Sequence, residues 1–199
     1  MSAAEFTALL LLATAMSFTP GPNTTLSTAL AANLGLRRAL RFVFAVPVGW
    51  SLLLVACALG LGALVTQWPP LRLAVHWGGL AYLLWLAWGL ARRASLGAAD
   101  PRRFEVGFWQ GVLLQFVNIK AWMLALTISA GWIASHPPIA PRLAIVVPVM
   151  VAFALASKLA YALIGSALRG WLARGRRLLW FNRVLAGVLV ATAAWMATL

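Results

Sequence analysis

A chain of 199 residues with 63% hydrophobic and only 10% charged side chains cannot face water over most of its surface, because a soluble domain carries about 25% charged residues. Its formal net charge of +13 does not make it a nucleic-acid binder either, since such proteins gather their cations on a broad water-exposed face. The single cysteine, Cys57, excludes intramolecular disulfides, paired-cysteine redox chemistry and a cysteine-built metal site.

Six apolar-rich stretches follow one another, at 6–32, 43–65, 73–91, 106–134, 143–168 and 184–199. About 20 mainly apolar residues cross a bilayer as a helix. A membrane β-barrel would alternate apolar and polar residues, and runs such as Leu52-Leu53-Leu54-Val55-Ala56 do not alternate. The expected fold is an all-α integral membrane protein with six transmembrane helices, forming one domain over 1–199. The sixth stretch is short, so its helix is expected to begin near Leu178. Five spans with a C-terminal re-entrant or surface helix is the alternative.

The first stretch has Glu5 and no Lys or Arg ahead of its apolar run. A cleavable signal peptide has a positive region there, so this segment is expected to be the first helix itself. It is interrupted by Thr19-Pro20-Gly21-Pro22-Asn23. Two prolines around a glycine remove amide donors and stop a regular helix. Such a break survives at membrane depth only where protein or a wet cavity satisfies the freed groups. Beyond it, Asn23 and Ser27 share a face, as do Thr24 and Thr28.

The loop after the first span holds Arg37, Arg38 and Arg41. The second span has no formal charge, contains Pro47, and takes in Cys57 as a small buried residue. Trp68-Pro69-Pro70 turns the chain into the third span, which is followed by Arg92, Arg93, Arg102 and Arg103. The fourth span contains Asn118-Ile119-Lys120-Ala121. A lysine at mid-span costs about 2.5–3.5 kcal/mol on insertion scales and has to face protein or water. His136-Pro137-Pro138 leads to the fifth span, which holds Pro148, Lys158 and Tyr161. Arg169, Arg174, Arg176, Arg177 and Arg183 follow.

These alternate connections hold 12 of the 16 basic residues. Short basic loops stay in the cytoplasm, which puts both termini outside. The break in span one and the polar insertion in span four each open a set of three helices. Three helices cannot repeat in the same sense across a membrane, so the halves, 1–95 and 104–199, are expected to be inverted repeats, as in many secondary transporters.

The candidate substrate-binding and translocation residues are Pro20, Gly21, Pro22, Asn23, Ser27, Asn118, Lys120, Lys158 and Tyr161. The free amides of a half-helix after Pro22 favour a carboxylate, and Asn23 stands beside them. Lys120 has no carboxylate at membrane depth to neutralise it. Glu5, Asp100 and Glu105 all lie near membrane edges. Asn118, two residues from Lys120, is expected to point elsewhere and support the backbone. No paired carboxylates, metal cluster, phosphate loop or nucleophile–base pair is evident, so no enzyme, metal or cofactor is expected.

Several motifs resemble the LysE/RhtB family of amino-acid exporters: Thr19-Pro20-Gly21-Pro22-Asn23, Gly35-Leu36-Arg37-Arg38-Ala39 with Gly49, and the run Trp77-Gly78-Gly79 to Leu86. Phe108 to Gly111 with Asn118-Ile119-Lys120-Ala121, and Asn182-Arg183 with Gly187, continue the resemblance. It implies a multi-pass protein of the bacterial cytoplasmic membrane that exports amino acids or close derivatives, driven by a coupled proton or ion rather than ATP. The partners implied are a small amino-acid-like substrate and membrane lipid, with no nucleic acid. A non-transporting scaffold or a small intramembrane enzyme is the alternative. The family usually has proline between the asparagine and the lysine, where this chain has Ile119. Its fourth span is therefore expected to be less sharply broken. Ala45 and Ala87 stand where glycine is frequent, and the intramembrane acid of many members is missing.

Overall fold

The computed structural model of the protein describes residues 1–94 and 106–198. Helices α1 (Ala3–Phe18) and α2 (Pro22–Leu34) form a bent pair with 49° between them. Then come α3 (Leu36–Ala58), the short α4 (Leu61–Gln67) and α5 (Pro69–Ala91). Helices α6 (Phe108–Val117) and α7 (Ile119–Ile128), the latter running into a π-helical turn Ser129–Ala134, form a second pair bent by 70°. Helices α8 (Ile139–Leu172) and α9 (Arg177–Ala197) complete the bundle. Four helices are long and apolar enough to cross a membrane, and each bent pair taken as one span brings the number to six.

The expected stretches are helical, four as single long apolar helices and two as bent pairs, with three corrections. The second ends at Ala58 rather than at 65, because Gly60 sits at φ +109°, in the left-handed region that a helix cannot pass through. Arg37, Arg38 and Arg41 lie in the first turns of α3 rather than in a loop, since Gly35, at φ +86°, makes the whole turn. The fourth span, expected to be gently broken, is bent more than the first. No proline is needed there. Asn118 is extended at φ −89°, ψ 102°, and its carbonyl accepts from the amides of Ala121 and Trp122 to start α7. The last helix is a full 21 residues from Arg177, which removes the reason for the five-span alternative. Arg102, Arg103, Asp100 and Glu105 lie outside the described residues.

Helix α2 is almost wholly buried, with α3, α8 and α9 packed around it. Two apolar cores flank the level of the breaks. One gathers Leu26, Leu30, Phe42, Leu86, Leu90 and Leu189. The other gathers Leu9, Leu53, Trp122, Ile128, Ile133 and Met150. Between helices the backbones come very close at glycine. A Cβ on Gly165 of α8 would collide with the Thr28 carbonyl of α2, and one on Gly79 of α5 with the Val117 carbonyl at the end of α6.

Polar ties close both ends of the bundle. Near Arg142 and the start of α8, Glu5 accepts from Arg142 Nη1 at 3.2 Å and lies 3.1 Å from His136 Nε2, while Trp132 Nε1 donates to the Glu5 carbonyl at 2.9 Å. At the other end the buried amides of Asn33 and Asn182 exchange hydrogen bonds of 2.8 and 3.0 Å, and Asn182 also donates to the Arg93 carbonyl. Asn33→Ala or Asn182→Ala is each expected to cost about 1–2 kcal/mol, because the other amide stays buried without its partner. The double substitution is expected to cost less than the sum. Thermal melting of the detergent-purified single and double variants checks this, and strict additivity would show that the two amides do not act as a unit.

Candidate functional site

A helix that stops leaves its last carbonyls without amide partners, and the four carbonyls from Ser17 at the end of α1 to Pro20 in the break are each met by a side chain from the other half of the chain. The Ser17 carbonyl accepts from Ser157 Oγ at 2.6 Å and Lys158 Nζ at 3.1 Å. Tyr161 Oη donates to the Phe18 carbonyl at 2.9 Å. Lys120 Nζ donates to the carbonyls of Thr19 at 3.2 Å and Pro20 at 3.4 Å. Two cations thus face the negative end of a half-helix, the sign its dipole favours.

On the far side of the break, Gly21 N donates to Thr24 Oγ1 at 2.9 Å and opens α2. The amides of Asn23 and Thr24, in the first turn, have no intrahelical acceptor. The Asn23 amide side chain exchanges hydrogen bonds of 2.8 and 3.2 Å with Gln115 of α6, and Gln115 Nε2 also donates to the Gly111 carbonyl. At the second break, Trp122 Nε1 donates to the Phe116 carbonyl at 2.8 Å.

The two breaks enclose a cavity of about 60 Å³ lined by Ser17, Gly21, Pro22, Asn23, Trp50, Asn118, Lys120 and Lys158, among others. A second, outward-lying cavity of about 460 Å³ is lined by Pro20, Met123, Val188, Thr192 and Trp195. Met16, Thr19 and Lys120 line both cavities and stand between them. Two buried side-chain atoms have no hydrogen-bond partner among the described residues, Trp50 Nε1 and Asn118 Oδ1. Both residues line the inner cavity, and leaving such an atom unsatisfied costs about 1–3 kcal/mol. The described residues contain no group of three or more metal-ligating side chains.

The LysE type translocator family matches residues 14–198. The chain belongs to that family. It is a multi-pass protein of the inner membrane. It is similar to a cysteine/O-acetylserine efflux protein of Klebsiella pneumoniae, with 33% identity over 87% of each chain. Proteins of the same description from Salmonella typhimurium and Escherichia coli O1:K1 are 35% and 32% identical over 56% of each chain. No solved structure matches this translocator.

Most of the residues singled out in the translocator's sequence converge. Gly21, Pro22, Asn23, Asn118, Lys120 and Lys158 line the inner cavity, and Pro20 lines the outer one. Tyr161 reaches the same break from behind, through the Phe18 carbonyl. Ser27 does not join them: it is fully buried, and its hydroxyl donates to the Asn23 carbonyl one turn back. Asn118 differs from expectation, since it lines the cavity and its buried side-chain oxygen has no hydrogen-bond partner among the described residues. Gln115 and Trp50 were missed. Gln115 sits one turn before the polar insertion in an otherwise apolar run, which is the signal that could have found it. Trp50 is one of 11 tryptophans and carries no such signal.

Proposed function

We propose that this translocator exports a small amino acid or a close derivative from the cytoplasm by alternating access, with the inner cavity as its substrate site. The observation that carries the reading is the meeting of two interrupted helices around one cavity that holds Asn23, Asn118, Lys120 and Lys158 between two apolar cores. Broken helices of this kind form midplane sites in secondary transporters. The names of the efflux relatives add the chemical class.

The substrate carboxylate meets the first turn of α2 and Lys120. The two three-helix halves, inverted with respect to each other and with both termini outside, rock about this point. On this reading the Asn33–Asn182 tie marks the cytoplasmic end and the Glu5 cluster the outer end, and each closes one side. Transport is coupled to a proton or another ion.

Purified protein in liposomes, given a panel of labelled amino acids that includes cysteine and O-acetylserine, tests the reading. Selective flux is expected for small neutral members. Asn23→Ala is expected to lower it at least about tenfold, since truncation leaves Gln115 buried without its partner beside the substrate. Unchanged flux in that variant would sink the assigned site.

A further inference from the structure

Two residues that line the inner cavity each hold a buried atom without a hydrogen-bond partner, and the two atoms are of opposite kinds. An indole nitrogen can only donate, and an amide oxygen can only accept. Trp50 is 5% exposed and Asn118 is 2% exposed, and both line the same cavity. The neighbouring polar groups are already engaged: Asn23 with Gln115, Thr24 with Gly21, and both lysines with the carbonyls that end α1. Asn118 is the more telling of the two. It stands at the position before α7 where an asparagine side chain ordinarily accepts from an amide of the helix it opens. Here that bond is not made.

Charge supplies the second constraint. Lys120 and Lys158 line the cavity, and no Asp or Glu does so among the described residues. The first turn of α2 adds the positive end of a helix dipole. A ligand there gains from one negative group and is penalised for an extra positive one, because like charges repel strongly where water is excluded.

We propose that Trp50 and Asn118 form a zwitterion clamp, the Trp50 indole N–H donating to the substrate carboxylate and Asn118 Oδ1 accepting from its ammonium group, while the two lysines bar cationic side chains. This rests on the export reading above and extends it to a ligand class: short amino acids without a basic side chain. A site built to hydrogen-bond both ends of a ligand rejects analogues that lack either end, since its own polar atom is then left unpaired.

The test measures equilibrium binding to the purified full-length protein with three probes, L-cysteine, cysteamine (no carboxylate) and 3-mercaptopropionate (no ammonium). L-cysteine is expected to bind at least about tenfold more tightly than either truncated probe, and excess L-lysine is expected not to displace it. Trp50→Phe is expected to weaken L-cysteine at least about tenfold without changing cysteamine. Asn118→Leu is expected to do the same with respect to 3-mercaptopropionate.

The wild-type probe series stands without either variant, so a variant that fails to fold does not remove the test. Three results would overturn the clamp while leaving export intact: L-cysteine binding no better than the truncated probes, L-lysine competing as an equal, or a folded variant weakening all three probes alike. The last would mean that the side chain shapes the cavity without bonding either end of the ligand. A wild-type protein that binds no L-cysteine and moves no amino acid in liposomes overturns the clamp and the export reading together.

Discussion

Gly165→Ala is expected to cost about 1–3 kcal/mol and to abolish transport, although alanine is the better helix former by about 1 kcal/mol. The sign is set by what the added carbon meets. On Gly165 it would land on the carbonyl of Thr28, which belongs to the fully packed α2 and cannot move aside as a side chain could. Relief would require α8 to withdraw from α2, and Ser157, Lys158 and Tyr161 on α8 would then lose their carbonyls at the end of α1. Gly187→Ala on α9 is the control, since nothing lies within 4 Å of its added carbon. It is expected to be neutral or stabilising by up to about 1 kcal/mol. Melting midpoints of both variants in detergent decide the matter, and identical behaviour would show that the close approach carries no weight.

Lys120→Met is expected to leave melting nearly unchanged while lowering flux by at least about tenfold. Two terms oppose each other in stability. The ammonium makes hydrogen bonds to two carbonyls, and bonds to a charged group are worth about 1.5–3 kcal/mol each, with the 3.4 Å contact at the weak end. Removing it also removes the cost of holding a charge at membrane depth, about 2.5–3.5 kcal/mol. The two nearly cancel, so folding barely registers the change. Methionine keeps the stem that separates the inner cavity from the outer one, so shape is preserved as well. Flux has no such compensation under the proposed function, in which Lys120 is the cation beside the substrate carboxylate. If melting and flux fall together in proportion, Lys120 only caps α1.

The division between what the sequence disclosed and what it withheld follows a physical line. Break positions and the isolated lysines were legible because each is a local conflict: a proline pair inside an apolar run, or a charge at mid-span. Such conflicts need no knowledge of partners. The second break shows the limit, since Ile119 hides a 70° bend that Asn118 makes with ordinary extended backbone. Pairings between distant segments were not legible at all. Asn23 with Gln115 and Asn33 with Asn182 join residues 92 and 149 positions apart, and no periodicity marks them. Trp50 and Gly165 belong to the same class. A tryptophan and a small residue are both ordinary in a membrane helix, and only packing shows that one lines a cavity and the other lets two backbones touch.

The carbonyls of Ser17, Phe18, Thr19 and Pro20 have a consequence for how such proteins diverge. They are main-chain atoms, and their placement depends on where α1 stops rather than on which side chains surround the stop. A lineage can therefore exchange most of its side chains and keep this wall of the site, provided a helix-breaking pair stays in place and some donor still reaches across. Relatives sharing a third of their residues could then share much more of their chemistry than identity counts reveal. Changes in what they carry would fall on the few side chains that complete the wall.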